Sequence, residues 1–207
     1  PLEEFKLTLG GNACNVSVGL SRLGFKTSLA AQVGSDEFSD RIINALRKEG
    51  IDLTNIDRSR RETPYFNIVL AYEGERTILA EKKPESGELS IENVNPKLVY
   101  LSSVSGDWKK VYENIFSKNT KSLFALNPGS RQLSEGFEDI LKVLPKIEIL
   151  FINLTEAQKI TKDQSPDIKV IVKKLKTWGV KIAVVTDGIN GSYAIDKNGE
   201  IFQIGLV

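Results

Sequence analysis

The chain of 207 residues contains no histidine and no methionine, and its only cysteine is Cys14. Without histidine, neither a Ser-His-Asp triad nor zinc held by histidine can form within this chain. A single cysteine cannot form an internal disulfide, so we expect a cytoplasmic location. Because no methionine stands even at position 1, we expect the natural start to lie upstream. Any chemistry must rest on carboxylates, cations, backbone amides or a hard metal ion.

Long apolar runs and an excess of one charge are absent as well. No run reaches the roughly 18–20 residues that a membrane span requires, and the acidic start, Pro1 to Glu4, does not resemble a signal peptide. The counts of 28 Lys+Arg and 27 Asp+Glu give a formal charge of +1. We therefore expect neither a nucleic-acid partner nor a membrane partner. Hydrophobic residues at 41% and charged residues at 27% are typical of a globular protein.

Short β-branched runs alternate with amphipathic helical patterns along most of the chain. The predicted strands are largely apolar, as in strands buried on both faces of a parallel sheet; they cover residues 27–33, 98–101, 123–126, 147–152 and 181–186. The predicted helices cover residues 36–49, 108–117, 135–144 and 167–178. For the helix 36–49 we expect an N-cap at Asp36 and a buried face of Phe38, Ile42, Ala45 and Leu46. This alternation predicts a doubly wound α/β sheet with helices on both faces.

Two segments interrupt the alternation and predict β-hairpins. Residues 63–72 and 76–81 flank a glycine turn at 73–75, and residues 193–196 and 201–204 flank the turn Lys197-Asn198-Gly199. No predicted helix covers the first hairpin. It could stand out as a lid or a dimer surface, or be an ordinary antiparallel addition to a sheet edge.

The first candidate motif is Gly10-Gly11-Asn12-Ala13-Cys14-Asn15, which precedes a predicted helix ending at Gly24. Glycines let a backbone approach a ligand closely, and the amides of Asn12 and Asn15 suit a polyhydroxylated ligand. An ordinary glycine turn with an asparagine cap explains the same residues. The face predicted to be buried consists of Ala13, Val16, Leu20 and Leu23. We expect Cys14 to be a small buried helix residue rather than a nucleophile.

Two further motifs follow predicted buried strands, where open α/β sheets bind ligands. In Asn153-Leu154-Thr155-Glu156, the carboxylate could hold hydrated Mg²⁺ beside phosphates, but Asn and Glu at this spacing also form a capping box. In Thr186-Asp187-Gly188-Ile189-Asn190-Gly191, a hydroxyl and backbone amides could contact a nucleotide phosphate, but an ordinary glycine-rich turn fits equally well. Asn127-Pro128-Gly129 also ends a strand, although such a turn requires no ligand.

Taken in order, these motifs resemble those of the ribokinase-like, or PfkB, family of carbohydrate kinases. The segment from Gly10 to Gly24 resembles the family signature GGNxxNxAxxLxRLG, and Val33 to Phe38 resembles the V-G-x-D-x-F segment. The N-P pair is matched by Asn127-Pro128, N-x-x-E by Asn153 and Glu156, and T-x-G-x-x-G by Thr186 to Gly191. The resemblance covers nearly the whole chain in the correct order.

The resemblance implies a single, incomplete three-layer α/β/α Rossmann-like domain over residues 1–207, with a small β-sheet lid at about 4–9 and 63–82. It implies a sugar-like substrate, ATP and Mg²⁺, leaves a monovalent cation possible, and suggests a homodimer formed through the lid. The implied roles are substrate binding by Gly10, Gly11, Asn12 and Asn15, nucleotide binding by Asn153, Thr186, Gly188 and Gly191, and metal binding by Glu156.

The sequence departs from the family pattern at both ends. The motif D-T-x-G-A-G-D, which supplies the catalytic aspartate in the family, is expected beyond Val207, and a first strand is expected before Pro1. We therefore predict that these 207 residues alone are inactive.

The resemblance implies in-line transfer of the γ-phosphoryl group of ATP to a primary hydroxyl. A nucleoside kinase of the same fold and a non-catalytic sugar- or nucleotide-binding protein stay open as alternatives.

Overall fold

The structure is a computed structural model that describes residues 6–58, 67–72, 75–80, 89, 91–92, 94–104 and 106–205. It divides into two units, one formed by the described parts of Pro1–Val94 and Val104–Ile115 and the other by those of Asn95–Ser103 and Phe116–Val207. The single domain over residues 1–207 stays a prediction.

The first unit begins with two helices and two short parallel strands. Its elements are α1 (Asn12–Arg22), β1 (Ala31–Gln32), α2 (Glu37–Lys48) and β2 (Ile56–Asp57). Ala31 pairs with Ile56 in parallel, and a further bridge joins Ser28 to Asp52. The strand predicted at 27–33 is therefore present as a bridge and a two-residue strand. The core of this unit is a cluster of Leu29, Leu46 and Ile51, which are at most 7% exposed.

The buried faces of both helices agree only in part with the predicted ones. In α1, Ala13, Cys14 and Val18 pack against the core cluster and Ser17 is buried, whereas Leu23 is 75% exposed because the helix ends at Arg22. In α2, Ser39, Ile43 and Leu46 are buried, while Phe38 is exposed. Of the predicted faces, Ala13, Ile42 and Leu46 do pack in the core, so the predicted and observed faces overlap in part.

Both predicted ends of α2 are confirmed. The Asp36 carboxylate accepts hydrogen bonds from the Ser39 backbone N–H at 2.9 Å and from the Ser39 hydroxyl at 2.6 Å, and these bonds lower the pKa of Asp36. The C-cap is Glu49, and Gly50 follows with a φ of 74°. A glycine tolerates this left-handed conformation, which explains why the helix stops here.

The C-terminal ends of α1 and α2 are joined by a polar clamp, which we define as Ser21, Arg22 and Glu49. The Arg22 guanidinium donates to both carboxylate oxygens of Glu49, at 2.8 and 2.5 Å. The Ser21 hydroxyl donates to the Glu49 carbonyl oxygen at 2.5 Å. The hydrogen bond from Arg22 lowers the pKa of the Glu49 carboxyl group. The clamp therefore fixes the spacing between the ends of the two helices.

The first predicted hairpin is confirmed in the described residues. The strands β3 (Asn67–Tyr72) and β4 (Glu75–Ala80) pair antiparallel, with Val69 opposite Ile78. The predicted residues 63–66, 73–74 and 81–82 lie outside the described residues.

The strand predicted at 4–9 is wrong over residues 6–9, which have no strand structure. Here Leu9 instead packs against the core cluster of the unit. Residues 4 and 5 lie outside the described residues.

The second unit contains a six-stranded mixed sheet. Its strands are β5 (Leu98–Leu101), β6 (Leu123–Leu126), β7 (Ile149–Asn153), β8 (Ile182–Thr186), β9 (Ser192–Ile195) and β10 (Ile201–Ile204). They lie in the order β10-β9-β8-β7-β6-β5; β5 to β8 are parallel, and β9 and β10 form the second predicted hairpin. The four predicted parallel strands are confirmed to within two residues.

Helices follow the parallel strands along the chain, and the first of them lies mostly in the first unit, which contains its residues up to Ile115. The helices are α3 (Trp108–Lys118), α4 (Ser130–Glu135), α5 (Phe137–Val143), α6 (Leu154–Thr161) and α7 (Ile168–Lys176). The helix predicted at 135–144 is present as α5 and begins two residues later than predicted, because Gly136 separates it from α4. Side chains of α5, α7 and the central strands are fully buried, among them Ile140, Ile171, Leu175, Leu150 and Val185. Sheet and helices together confirm the α/β class.

None of the helices in the described ranges combines the length and the apolar character needed to cross a membrane.

Candidate functional site

The strands β7 and β8 end side by side, and polar residues follow both ends. In the parallel register, Asn153 pairs with Thr186, the last residue of each strand. A pocket of about 290 Å³ opens at this edge of the sheet. It is lined by Asn153, Leu154, Thr155, Glu156, Lys159, Thr186, Asp187 and Gly188. The structure thus brings the second and third candidate motifs together at one pocket, as the sequence predicts for the C-terminal ends of parallel strands.

The capping box predicted as the alternative for the second motif is present. The Asn153 side-chain oxygen accepts a hydrogen bond from the Glu156 N–H at 2.8 Å, and Glu156 Oε2 accepts one from the Asn153 N–H at 3.2 Å. The same two side chains also line the pocket. Both interpretations of the motif are therefore compatible, because the cap uses only part of each side chain.

The donor set of the pocket fits a magnesium ion that is held mainly by phosphate and water. Within the described residues, no group of three or more His, Cys, Asp or Glu side chains could hold a metal ion. Glu156, which is half-buried, offers one carboxylate whose Oε1 takes no part in the capping box. Mg²⁺ at nucleotide sites is commonly bound through one or two carboxylates together with water and substrate phosphates.

The third motif forms a 3₁₀ turn held together by its own backbone. The Asp187 N–H donates to the Gly191 carbonyl oxygen at 2.8 Å, and the Asn190 side-chain amide donates to Asp187 Oδ2 at 3.0 Å. Gly188 has a φ of 51°, and no described atom lies within 4 Å of a Cβ placed on it. The backbone of Gly188 therefore faces open space at the pocket, as a phosphate contact would require.

Gly191 has a structural requirement of its own, and the nucleotide role implied by the resemblance stays a prediction. This residue does not line the pocket, its φ is 86°, and a Cβ placed on it would collide with the carbonyl oxygen of Ile204. The glycine is required there because the end of β10 passes against its Cα. Three of the four predicted nucleotide-binding residues, Asn153, Thr186 and Gly188, line the pocket.

Sequence reasoning missed two charged residues of the pocket, Lys159 and Asp187. Lys159 follows Glu156 by three residues in α6, so both side chains lie on the same side of the helix. That spacing is the signal that would have placed Lys159 here. The sequence pattern predicts Asp187 only as part of a glycine turn, although this residue directly follows the last residue of β8.

The Asn127-Pro128-Gly129 segment contributes to the fold. The Asn127 side-chain amide donates to the Phe151 carbonyl oxygen at 2.9 Å and thereby links the end of β6 to β7. A Cβ on Gly129 would collide with the Ser103 side chain. The turn needs no ligand to explain it, as expected from the sequence.

The Gly10–Asn15 motif lies in the first unit, at the start of α1. The N-cap is Gly11, with a φ of 103°, and no side chain caps the helix, so the expected asparagine cap is absent. Asn12 and Asn15 lie in the first turn and are exposed, and no described atom lies within 4 Å of a Cβ placed on Gly10 or Gly11. The motif therefore presents two amide side chains and two open glycines on one surface.

Cys14 is half-buried against the core cluster, and burial raises the pKa of its thiol. A thiol in this environment is a poor nucleophile, in agreement with the sequence expectation.

Comparison with known proteins assigns the family. Residues 2–205 match the description "pfkB family carbohydrate kinase". The chain is 43% identical to 5-dehydro-2-deoxygluconokinase of Clostridium tetani over 99% of the chain and 68% of that protein. It is 26% identical to probable fructokinase-6, chloroplastic, of Arabidopsis thaliana, over 95% of the chain and 56% of that protein.

A solved structure shows the same fold. An uncharacterised sugar kinase from Pyrococcus horikoshii in complex with ATP superposes with a TM-score of 0.69 at 22% identity, covering 95% of this chain and 67% of the other. The chain spans between about half and two thirds of the length of the curated relatives named above. The ordered motifs, the parallel sheet and the family match agree, and the chain belongs to the pfkB family of carbohydrate kinases.

Proposed function

We propose that this protein phosphorylates a primary hydroxyl group of a sugar-like small molecule with ATP. One observation supports this most directly: β7 and β8 end side by side and surround one pocket with Asn153, Glu156 and Thr186. The two relatives are named as a 5-dehydro-2-deoxygluconokinase and a probable fructokinase, and a structural neighbour named as a sugar kinase was crystallised with ATP.

The pocket is suited to the phosphates of a nucleotide. Leu154 and Thr155 are the first two residues of α6, whose N–H groups have no acceptor within the helix, and the helix dipole adds positive potential there. Gly188 and the Thr186 hydroxyl lie at the same pocket. Glu156 would hold Mg²⁺, which would neutralise phosphate charge during phosphoryl transfer. We assign the role of accepting the proton of the acceptor hydroxyl to none of the described residues.

The acceptor is proposed to bind at Gly10, Gly11, Asn12 and Asn15. An amide side chain both donates and accepts hydrogen bonds, so it can bind a hydroxyl group in either orientation. The open space around the two glycines lets a ligand approach the backbone. Acceptor recognition is therefore assigned to the first unit and nucleotide recognition to the second.

The acceptor proposed first is 5-dehydro-2-deoxygluconate. The relative named for that substrate is 43% identical over almost the whole chain, against 26% for the fructokinase. Fructose is accordingly the second candidate acceptor.

The β3–β4 hairpin is proposed as the lid and as the contact with a second copy of this chain. Its apolar side chains Ile68, Val69, Leu70, Ile78 and Leu79 are each between 51% and 59% exposed. Val69 and Ile78 pair on one face and Ile68 and Leu79 on the other, so both faces are apolar. One face would cover the acceptor and the other would bind the partner.

The protein is proposed to act in the cytoplasm, because a chain with a single cysteine has no internal disulfide to maintain.

The test is ADP release by the natural full-length protein with Mg-ATP across 5-dehydro-2-deoxygluconate, 2-keto-3-deoxygluconate, fructose, ribose and nucleosides. We expect the highest kcat/KM with 5-dehydro-2-deoxygluconate. Preference for a nucleoside would instead identify a nucleoside kinase. Binding of sugar or nucleotide without any turnover by the folded protein would identify a non-catalytic binding protein and refute the kinase proposal.

A further inference from the structure

We propose that Lys159 binds the polyphosphate of the nucleotide in the pocket at the ends of β7 and β8. This assignment rests on the nucleotide pocket of the proposed function and adds a residue to it. Lys159 lies outside the N-x-x-E and T-x-G-x-x-G motifs and becomes a candidate only because the structure places it in the pocket lining.

The charge of the pocket requires a cation. Its lining contains two carboxylates, Glu156 and Asp187, and one ammonium group, that of Lys159. The phosphates of a nucleotide add several negative charges. Without a nearby positive charge, the two carboxylates would repel these phosphates. Among the described residues that line the pocket, Lys159 alone has a positively charged side chain, so it can offset the repulsion directly.

The position of Lys159 on α6 directs it to the ligand rather than to the core. Ala157 and Ile160 form the buried side of the helix, whereas Thr155, Glu156 and Lys159 lie on the pocket side. Within the described part of the chain, the ammonium group of Lys159 takes part in no hydrogen bond and no ion pair. A lysine without a structural partner can extend its flexible side chain to a phosphate as a compact positive charge.

Other lysines of this unit are already committed to the fold. Lys174 pairs with Asp163 at 3.3 Å, and Lys181 pairs with Glu148 at 2.6 Å. Lys173, an exposed lysine on α7, lies outside the pocket lining and provides a matched control. Replacing Lys173 by alanine removes the same net charge from a helix of the same unit, so only the position of the lost charge differs.

The experiment measures the affinity of the full-length protein for ADP by isothermal titration calorimetry, and for adenosine by competition. We expect Lys159→Ala to raise the Kd for ADP about threefold to tenfold, as for loss of one partly screened charge contact, and to leave the Kd for adenosine unchanged. Lys159→Arg restores most of the ADP affinity, and Lys173→Ala changes neither Kd. Added salt weakens ADP binding less in Lys159→Ala than in the wild type.

Two results would overturn the assignment while leaving the proposed function intact. The first is an unchanged ADP affinity in Lys159→Ala, and the second is an equal loss of ADP and adenosine affinity, which would indicate a structural role. If the folded wild-type protein binds no ADP at all, both the assignment and the nucleotide pocket of the proposed function are wrong.

Discussion

The helices α1 and α6 both begin at a candidate binding motif, but their first turns are stabilised in opposite ways. At α6, the side chains of Asn153 and Glu156 close a capping box and also line the pocket. At α1, the N-cap is Gly11 and no side chain caps the helix, while Asn12 and Asn15 are exposed. The side chains of Asn153 and Glu156 therefore stabilise the start of their helix, whereas no side chain caps the start of α1.

The difference predicts how mutations affect each motif. A substitution of Asn153 or Glu156 should lower stability and ligand affinity together, because the same side chains cap α6 and line the pocket. A substitution in the motif of α1 should change ligand affinity with little effect on stability. Substitutions of glycines and asparagines in the two motifs test this contrast, and a substitution in the polar clamp tests a smaller effect in the first unit.

The largest effect is expected from Gly191→Ala in the second unit. The new Cβ would collide with the Ile204 carbonyl oxygen, and the residue has a φ of 86°. We expect a loss of at least about 2 kcal/mol in the free energy of unfolding, measured by urea denaturation. Gly10→Ala, where the added Cβ meets no described atom, is the control from the acceptor motif and should change stability by less than about 0.5 kcal/mol. Equal losses of unfolding free energy in Gly191→Ala and Gly10→Ala would contradict the difference between the two motifs.

Asn153→Ala should have the next largest effect. It removes the N-cap acceptor for the Glu156 N–H, so we expect a loss of about 1 kcal/mol in the free energy of unfolding. Asn153→Asp retains a capping oxygen and should restore stability, whereas its negative charge should still weaken ADP binding. Full recovery of ADP affinity in Asn153→Asp would show that Asn153 acts only as a cap.

Asn15→Ala in α1 should leave stability within about 0.5 kcal/mol of the wild type, because Asn15 is exposed and does not cap the helix. Thermal unfolding of this variant and of Asn44→Ala, another exposed helical asparagine of the same unit, measures the difference. A marked loss in Asn15→Ala alone would mean that the acceptor motif supports the fold after all.

A smaller effect, dependent on pH, is expected from the polar clamp of Ser21, Arg22 and Glu49. Arg22 lowers the pKa of Glu49 in the folded protein, so the ionised carboxylate contributes stability above its unfolded pKa of about 4.3. This contribution is lost as the pH falls through the folded pKa. The stability difference between the wild type and Glu49→Gln should be constant from pH 7 to 5 and shrink below about pH 4.3. A difference that does not change with pH would contradict the role of the charge.

Elements with a strong local signal could be predicted from the sequence. The helix α2 has a capping aspartate at one end and a glycine at the other, and both ends are where the sequence places them. The strands β5 to β8 are short apolar runs followed by polar residues. Because ligands bind at the C-terminal ends of parallel strands, the same pattern predicts a ligand site at the ends of β7 and β8. In these cases the local pattern and the tertiary contacts favour the same structure.

The remaining features depend on contacts between residues that are distant in the sequence. The collision that requires Gly191 involves Ile204, and the burial of Ser17 rather than Leu20 in α1 depends on where Leu29, Leu46 and Ile51 pack. The spacing of Lys159 from Glu156 places both on one side of α6, but the pocket itself forms only because β7 and β8 end side by side. Sequence periodicity predicts the side of a helix on which a residue lies, but not the distance to a segment that is remote in the sequence.

The most direct test of the division between acceptor and nucleotide recognition is a steady-state comparison of Asn15→Ala and Asn153→Ala in the full-length protein. We predict that Asn15→Ala raises the KM for the sugar-like acceptor by about tenfold or more and leaves the KM for ATP unchanged, whereas Asn153→Ala raises the KM for ATP and leaves that for the acceptor unchanged. If either variant raises both KM values equally, the two motifs do not recognise separate substrates and the account is wrong.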